Sequence, residues 1–307
     1  MIKNKPVLTL IGLFAVCACI LAPAPAETPE GGPTETGGMT EVPPTATPEP
    51  SATYTPTATI PPGFFPIAVG FSYTPGRAIL LGGTEDGAWI NAADAVARLS
   101  GGETYTLYAP TGPVGTVIGT MPTEDRICPE YYFDWRPEAS DKELIGLGGG
   151  WNALPRIPVE PAIADFPTYT AAAGDWLAAQ GMSVPSPMTL TGVRRVDLDG
   201  DGTMEAIISA TRLSDAILHD AAAGDFTIVL LYRETASETI LLAGDLYPAA
   251  RSMVFPRVYS LSSILDLNGD GRMEVIVHYD LFEGDGTKVF SFDGSAADLV
   301  FDTWCSY

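Results

Sequence analysis

The sequence predicts an α+β fold, mostly β, in two β-rich parts. The C-terminal part is built from two related strand–loop–strand units with one covering helix, and it is not a closed propeller. Three observations carry this. A short acidic motif containing glycine starts at Asp197 and recurs at Asp266. Each copy runs straight into β-branched residues, which favour strands. One helical pattern with an aromatic stripe stands ahead of the first copy. A propeller takes at least four blades. Two units fall short of that, so the expected arrangement is two related β units packed face to face, with the helix over one side.

The chain opens with Lys3 and Lys5, and residues 6–21 then carry no charge. A positive start before a short apolar core is the pattern of a signal sequence, and residues 1–26 are read as an export leader. Two cleavage points are available, before Cys19 in Val16-Cys17-Ala18-Cys19 and after Ala26 in Ala24-Pro25-Ala26. The first resembles a bacterial lipoprotein box, in which a small residue precedes a cysteine that is acylated. Ala18 before Cys19 fits; Val16 before Cys17 does not. Cys19 is therefore the lipidation candidate, which implies an exported protein held at the bacterial cell surface by a lipid anchor in the membrane. Plain secretion is the alternative. As a permanent span the run is at the short limit for a ~30 Å hydrocarbon core, and no basic cluster follows it.

Residues 27–62 hold 9 Pro, 10 Thr and five Glu with no Lys or Arg. Such a segment has too little apolar surface to build a core and is read as a disordered Thr/Pro-rich stalk. In polyproline II, at ~3.1 Å per residue, it reaches up to roughly 110 Å. Across the 307 residues, 16 Lys plus Arg stand against 38 Asp plus Glu, a formal charge of −22. That sign repels phosphate backbones and argues against nucleic acid as a partner. With Cys17 and Cys19 in the leader, the folded part keeps Cys128 and Cys305, an even number in an oxidising compartment. A disulfide between them is expected.

The rest divides into a β-rich domain with an irregular aromatic loop (63–155) and an α+β domain (156–307). In the first, residues 104–108 and 114–118 flank a Pro110-Thr111-Gly112-Pro113 turn, the pattern of a hairpin. A short helix follows Asn91 as N-cap, with Asp94 at its third position and Gly101 as its stop. Residues 128–161 show no clean period and read as a packed loop anchored by Trp135 and Trp151. A helix is predicted over 166–180, capped by Asp165, with Pro167 in its first turn and Gly181 ending it. Its apolar face needs a sheet to cover.

The repeated motif is the most informative feature. Oxygen side chains stand at loop positions 1, 3, 5 and 9: Asp197, Asp199, Asp201 and Glu205, then Asp266, Asn268, Asp270 and Glu274. Calcium takes six to eight oxygens, and acids alternating with spacers can curl onto one point. Gly202 and Gly271, at position 6, permit the sharp bend, and Thr203 or Arg272 at position 7 offers a carbonyl. An EF-hand closes with Glu at position 12, where this chain has Ile208 and Val277, so these are loops between strands. Asp-x-Asp/Asn-x-Asp-Gly-x-x-Glu between strands resembles the calcium loops of FG-GAP or VCBS-type repeats, found in integrin α chains and bacterial surface proteins. The resemblance covers about 197–232 and 266–292. It implies calcium ligands at Asp197, Asp199, Asp201, Thr203 and Glu205, and at Asp266, Asn268, Asp270, Arg272 and Glu274. The chain departs from the family pattern in having two units only, no Phe-Gly/Gly-Ala-Pro half, and Glu as the closing acid. Asn268 makes the second loop one charge weaker, so its affinity is expected to be lower.

Catalytic signals are sparse. His219 and His278 fall in no metal or triad motif, and Leu147-Gly148-Gly149-Gly150 lacks the lysine of a P-loop. Asp280, Glu283 and Asp285 read as a solvated acidic loop. No residue is assigned a catalytic role. The sequence therefore suggests a surface-displayed, calcium-binding, non-enzymatic module for binding or scaffolding, with a protein or glycan as ligand. The alternatives are an envelope-associated hydrolase with carboxylate catalysis and an accessory subunit of a secreted complex.

Overall fold

The computed structural model describes residues 60–70, 74–126, 128–139, 144–213 and 219–306. The leader with Cys19, and the stalk as far as residue 59, lie outside the described residues. The first sheet comprises β1 (Phe64–Gly70), β2 (Arg77–Glu85), β3 (Ala88–Asn91), β4 (Thr104–Ala109), β5 (Gly112–Gly119), β6 (Thr123–Glu124), β7 (Tyr131–Arg136) and β8 (Ile145–Leu147), with helix α1 (Ala92–Val96) after β3. Its strand order is β3-β2-β1-β8-β4-β5-β7-β6, and β7 also pairs back onto β2 through Ile79 opposite Tyr132, so the sheet curls round. Inside the curl pack Leu80, Leu99, Tyr105, Leu107, Phe133 and Trp135.

Helix α2 (Phe166–Ala179) leads into a second sheet of β9 (Leu190–Val196), β10 (Glu205–Thr211), β11 (Asp225–Arg233) and β12 (Glu238–Tyr247). A third sheet holds β13 (Val258–Leu265), β14 (Glu274–Leu281), β15 (Gly284–Phe292) and β16 (Ala297–Ser306). Both are antiparallel meanders, in the orders β12-β11-β10-β9 and β13-β14-β15-β16. The fold is thus mostly β with one substantial helix, and among the described residues no sheets assemble into a propeller.

Alternation along the strands sorts the layers. On β11, Phe226, Ile228 and Leu230 face α2, where they meet Tyr169, Ala173 and Leu177 at helical spacing. The intervening Val229 and Leu231 face the third sheet and meet Tyr259, Val275, Val277 and Phe290. That sheet's other face presents Ile276, Val289 and Phe301 to Ile67, Ile79, Ile145 and Leu147 of the first sheet. With both faces covered, β10 and β11 read as nearly unbroken apolar runs. Each such side chain contributes about 1.5–3 kcal/mol on full burial. The two repeated units do pack face to face, with the helix over the outer side of the first.

Several elements differ from the sequence reading. Residues 128–161 are not all loop, since β7 and β8 lie within them. On β7, Tyr132 and Phe133 point to opposite cores. In β8, Gly146 is a packing residue: a Cβ there would lie 2.9 Å from the Trp135 ring. Asn91 caps α1 by accepting from the Asp94 amide at 2.9 Å, but the helix stops at Val96, well before Gly101. Asp165 precedes α2 with no capping bond from its side chain, because a 3₁₀ turn, Ile163–Asp165, already leads into the helix. Gly181, at φ +76°, ends α2 as expected, with the Met182 amide donating to the Leu177 carbonyl. Each unit also has a fourth strand, β12 and β16, beyond the stretches that the resemblance covers.

Cys128 and Cys305 are joined, with Cα atoms 5.3 Å apart and a sequence separation of 177. Closing so long a loop lowers the entropy of the unfolded chain by about 5 kcal/mol at 25 °C. A Cys128→Ser/Cys305→Ser double variant is expected to lose stability of that order, read from the urea midpoint. Burial pushes the Glu130 carboxyl up to about 7, against a hydrogen bond from the Trp304 amide that lowers it and repulsion from Asp302 that adds to the rise. A raised folded value gives full stability below the unfolded value near 4.5 and loses it as pH rises to 7. Glu130→Gln should therefore raise the melting temperature at pH 7.5 and leave it unchanged at pH 4.

Candidate metal centre

Each acidic loop connects neighbouring strands, β9 to β10 and β13 to β14. The two loops share one hydrogen-bond plan. In the first, Asp197 accepts from the Gly200 amide at 2.7 Å and the Gly202 amide at 3.1 Å, Asp199 from Asp201 at 3.1 Å, and Asp201 from Thr203 at 2.6 Å. Glu205, the first residue of β10, reaches back to the Leu198 amide at 3.0 Å. In the second, Asp266 accepts from Gly269 at 2.7 Å and Gly271 at 3.0 Å, Asn268 from Asp270 at 3.0 Å, Asp270 from Arg272 at 2.8 Å, and Glu274 from Leu267 at 2.7 Å. The equivalence holds bond for bond. Gly200, Gly202, Gly269 and Gly271 all have φ between +73° and +90°, so the bend uses glycine at position 4 as well as the predicted position 6.

Two residues outside the motif hold the loops, and one of them, Arg156, bonds to both. Arg156 donates through Nη2 to the carbonyls of Leu198 at 2.9 Å and Gly271 at 2.7 Å, and through Nε to that of Asp197. Trp151 donates from its indole to the Asp266 carbonyl at 2.9 Å. The Met273 amide meets the Leu198 carbonyl at 2.8 Å, one loop bonded directly to the other. Neither Arg156 nor Trp151 was legible as a loop partner: each is a single residue in a Pro- and Gly-rich stretch, with its target far along the chain.

In the first loop, Asp197, Asp199 and Glu205 each bring one carboxylate oxygen within 4.8 Å of the others. Asp201 and Thr203 are not part of this trio. Among the described residues no other three acidic, His or Cys side chains come so close. The equivalent place in the second loop has an amide, Asn268, between the buried Asp266 and Glu274.

Electrostatics make these acids ready for a cation. Burial raises Glu205 to about 7, opposed by the Leu198 amide and reinforced by the charges of Asp199, Asp201 and Asp197. Burial likewise raises Asp266 to about 6, opposed by the amides of Gly269 and Gly271. It holds Glu274 well above the usual carboxylate range. Desolvated, mutually repelling carboxylates favour either protons or a metal ion between them. The donors are all oxygens, which suits a hard divalent cation.

Comparison of the chain with protein-family models, with curated proteins and with solved structures finds no match. The other acidic run, expected to be solvated, is only partly so. Asp285 is 5% exposed within β15, while Glu283 sits at the hairpin turn with φ +55°. His278 lies in β14, 3.4 Å from Asp280, and His219 packs edge-on against Phe282 at 4.2 Å.

The loop geometry ranks two substitutions. A Cβ on Gly202 meets nothing within 4 Å, so Gly202→Ala costs only the left-handed backbone, about 1–2 kcal/mol. A Cβ on Gly269 would lie 2.7 Å from the Pro61 ring and 3.2 Å from Trp151. Gly269→Ala is expected to be the more destabilising of the two in urea melts.

Proposed function

We propose that this protein is an exported bacterial cell-surface lipoprotein whose two FG-GAP/VCBS-like units are clasped by calcium, and that it acts as a non-enzymatic binding or scaffold module. The observation that carries the reading is the duplicated loop: one hydrogen-bond plan twice, with Asp197, Asp199 and Glu205 converging in the first copy. In that reading the first-loop ligands are Asp197, Asp199, Asp201, the Thr203 carbonyl and Glu205. The second-loop ligands are Asp266, Asn268, Asp270, the Arg272 carbonyl and Glu274. A bound ion neutralises carboxylates that burial would otherwise protonate, so the metal contributes to folding. The loops bond to each other across the second and third sheets, which suits a structural clasp. The leader, Cys19 and the stalk supply export, an anchor and reach. Such a design displays a rigid body away from the membrane.

Extracellular calcium modules bind at ~10⁻⁴–10⁻³ M. At about 10 mM calcium, mass action then adds roughly 1.4–2.7 kcal/mol per occupied loop. The chelated protein is expected to melt several degrees lower than the calcium-loaded one, with magnesium restoring less. Asp197→Ala should remove the tighter of two calorimetric sites and Asp266→Ala the weaker. Equal melting with calcium and with chelator would refute the metal reading. The anchor is tested separately: labelled palmitate should enter the wild-type protein in a bacterial host and be lost in Cys19→Ala.

A further inference from the structure

Between β9 and β13, the edge strands of the second and third sheets, lies a cavity of about 460 Å³. Its size falls within the range of small-molecule sites. Ser209 of β10 and Ser263 of β13 line it. Both are 3% exposed, and neither hydroxyl oxygen has a hydrogen-bond partner. Buried hydroxyls are nearly always bonded, so two unsatisfied ones on one cavity point to something that enters it. Both edge strands also shift register here. β9 slips against β10 at Ser209/Ala210, and β13 slips against β14 between Leu261 and Ser263. Irregularities of this kind re-aim side chains and gather next to functional sites.

The chemistry of the wall narrows the occupant. Its cation, Arg194, is 2.8 Å from Glu160, so the pair leaves no free charge to draw an ionic ligand. The net charge of −22 disfavours anions further. A serine hydroxyl both donates and accepts, as the hydroxyls of a sugar do. Phe166 and Leu190 give apolar surface for the ring's C–H face. The cavity offers one carboxylate, Glu160, and that one is paired, so it lacks the two free acids that glycoside hydrolysis uses.

We propose that this cavity is a binding site for a neutral, polyhydroxylated ligand: a monosaccharide, free or as the terminal unit of a glycan. Ser209 and Ser263 hydrogen-bond its hydroxyls. The proposal gives the binding module described above a ligand class and rests on that reading, but its test is separate, since calcium melts and palmitate labelling report on the loops and the leader.

Calcium-loaded protein is titrated with D-glucose, D-galactose, N-acetyl-D-glucosamine and their methyl glycosides, with gluconate as the charged control, by calorimetry and saturation-transfer NMR. At least one neutral sugar is expected to bind saturably in the millimolar range, and gluconate not to bind. A methyl glycoside that binds as well as its free sugar assigns the terminal unit of a glycan; preference for the free sugar assigns a monosaccharide. Ser209→Ala and Ser263→Ala should each weaken binding about two- to tenfold, the loss of one hydrogen bond. Gly192 also lines the cavity, and a Cβ there meets nothing within 4 Å. Gly192→Leu is therefore expected to abolish binding with the melting temperature unchanged, which keeps the test decisive if a serine variant fails to fold. Absence of saturable binding by every sugar would mean that water alone satisfies the two serines, and would overturn the proposal. So would sugar binding that Gly192→Leu leaves intact, or gluconate binding equal to that of the sugars.

Discussion

Two buried carboxylates, Glu205 and Glu274, impose the constraint around which the C-terminal half is organised. Each begins a strand, each is at most 4% exposed, and each takes a backbone amide of its own loop as partner. An acid in that position fixes the loop from below, because the Leu198 or Leu267 amide must come to it. It also fixes the strand register, since Glu205 stands opposite Val196 and Glu274 opposite Leu265. The remaining loop side chains accept from the backbone amides of the turn between the strands. Leu198 and Leu267, the spacers at position 2, are fully buried, so the polar turn is pinned by apolar contacts on its inner side.

What was legible in the sequence was what is local. The loop spacing, the glycine at position 6, the strands that follow, the helix over 166–180 and its Gly181 stop are all set by residues within one or two turns of each other. The face-to-face packing followed from the same repeat, because each unit carries one apolar surface too many. Other features depend on distant partners and left no local trace. β8 is three residues long and owes its place to β1 and β4 on either side. Its Gly146 resembles a turn residue and in fact makes room for Trp135. Arg156 holds a carbonyl 115 residues away. Ser209 and Ser263 are unremarkable in sequence and become noticeable only when two strands bring them to the same cavity.

The layered cores explain why the N-terminal sheet belongs to the loop machinery. The third sheet is covered on one face by the second sheet and on the other by the first. Trp151, which packs against the core between the first and third sheets, also bonds to Asp266, and the Asp266 amide donates to Ala153 at 2.8 Å. The second loop thus sits against the segment that leaves β8, and the first is joined to it through Arg156. Movement of either loop is opposed by contacts from more than one sheet, and the cavity between β9 and β13 borders the same framework.

The cross-link between Cys128 and Cys305 has a further consequence wherever the chain meets a protease. Because it encloses both acidic loops and all of β7 to β15, a single cut anywhere inside that ring leaves two fragments that remain covalently attached to each other. The folded body can be nicked without separating into two chains.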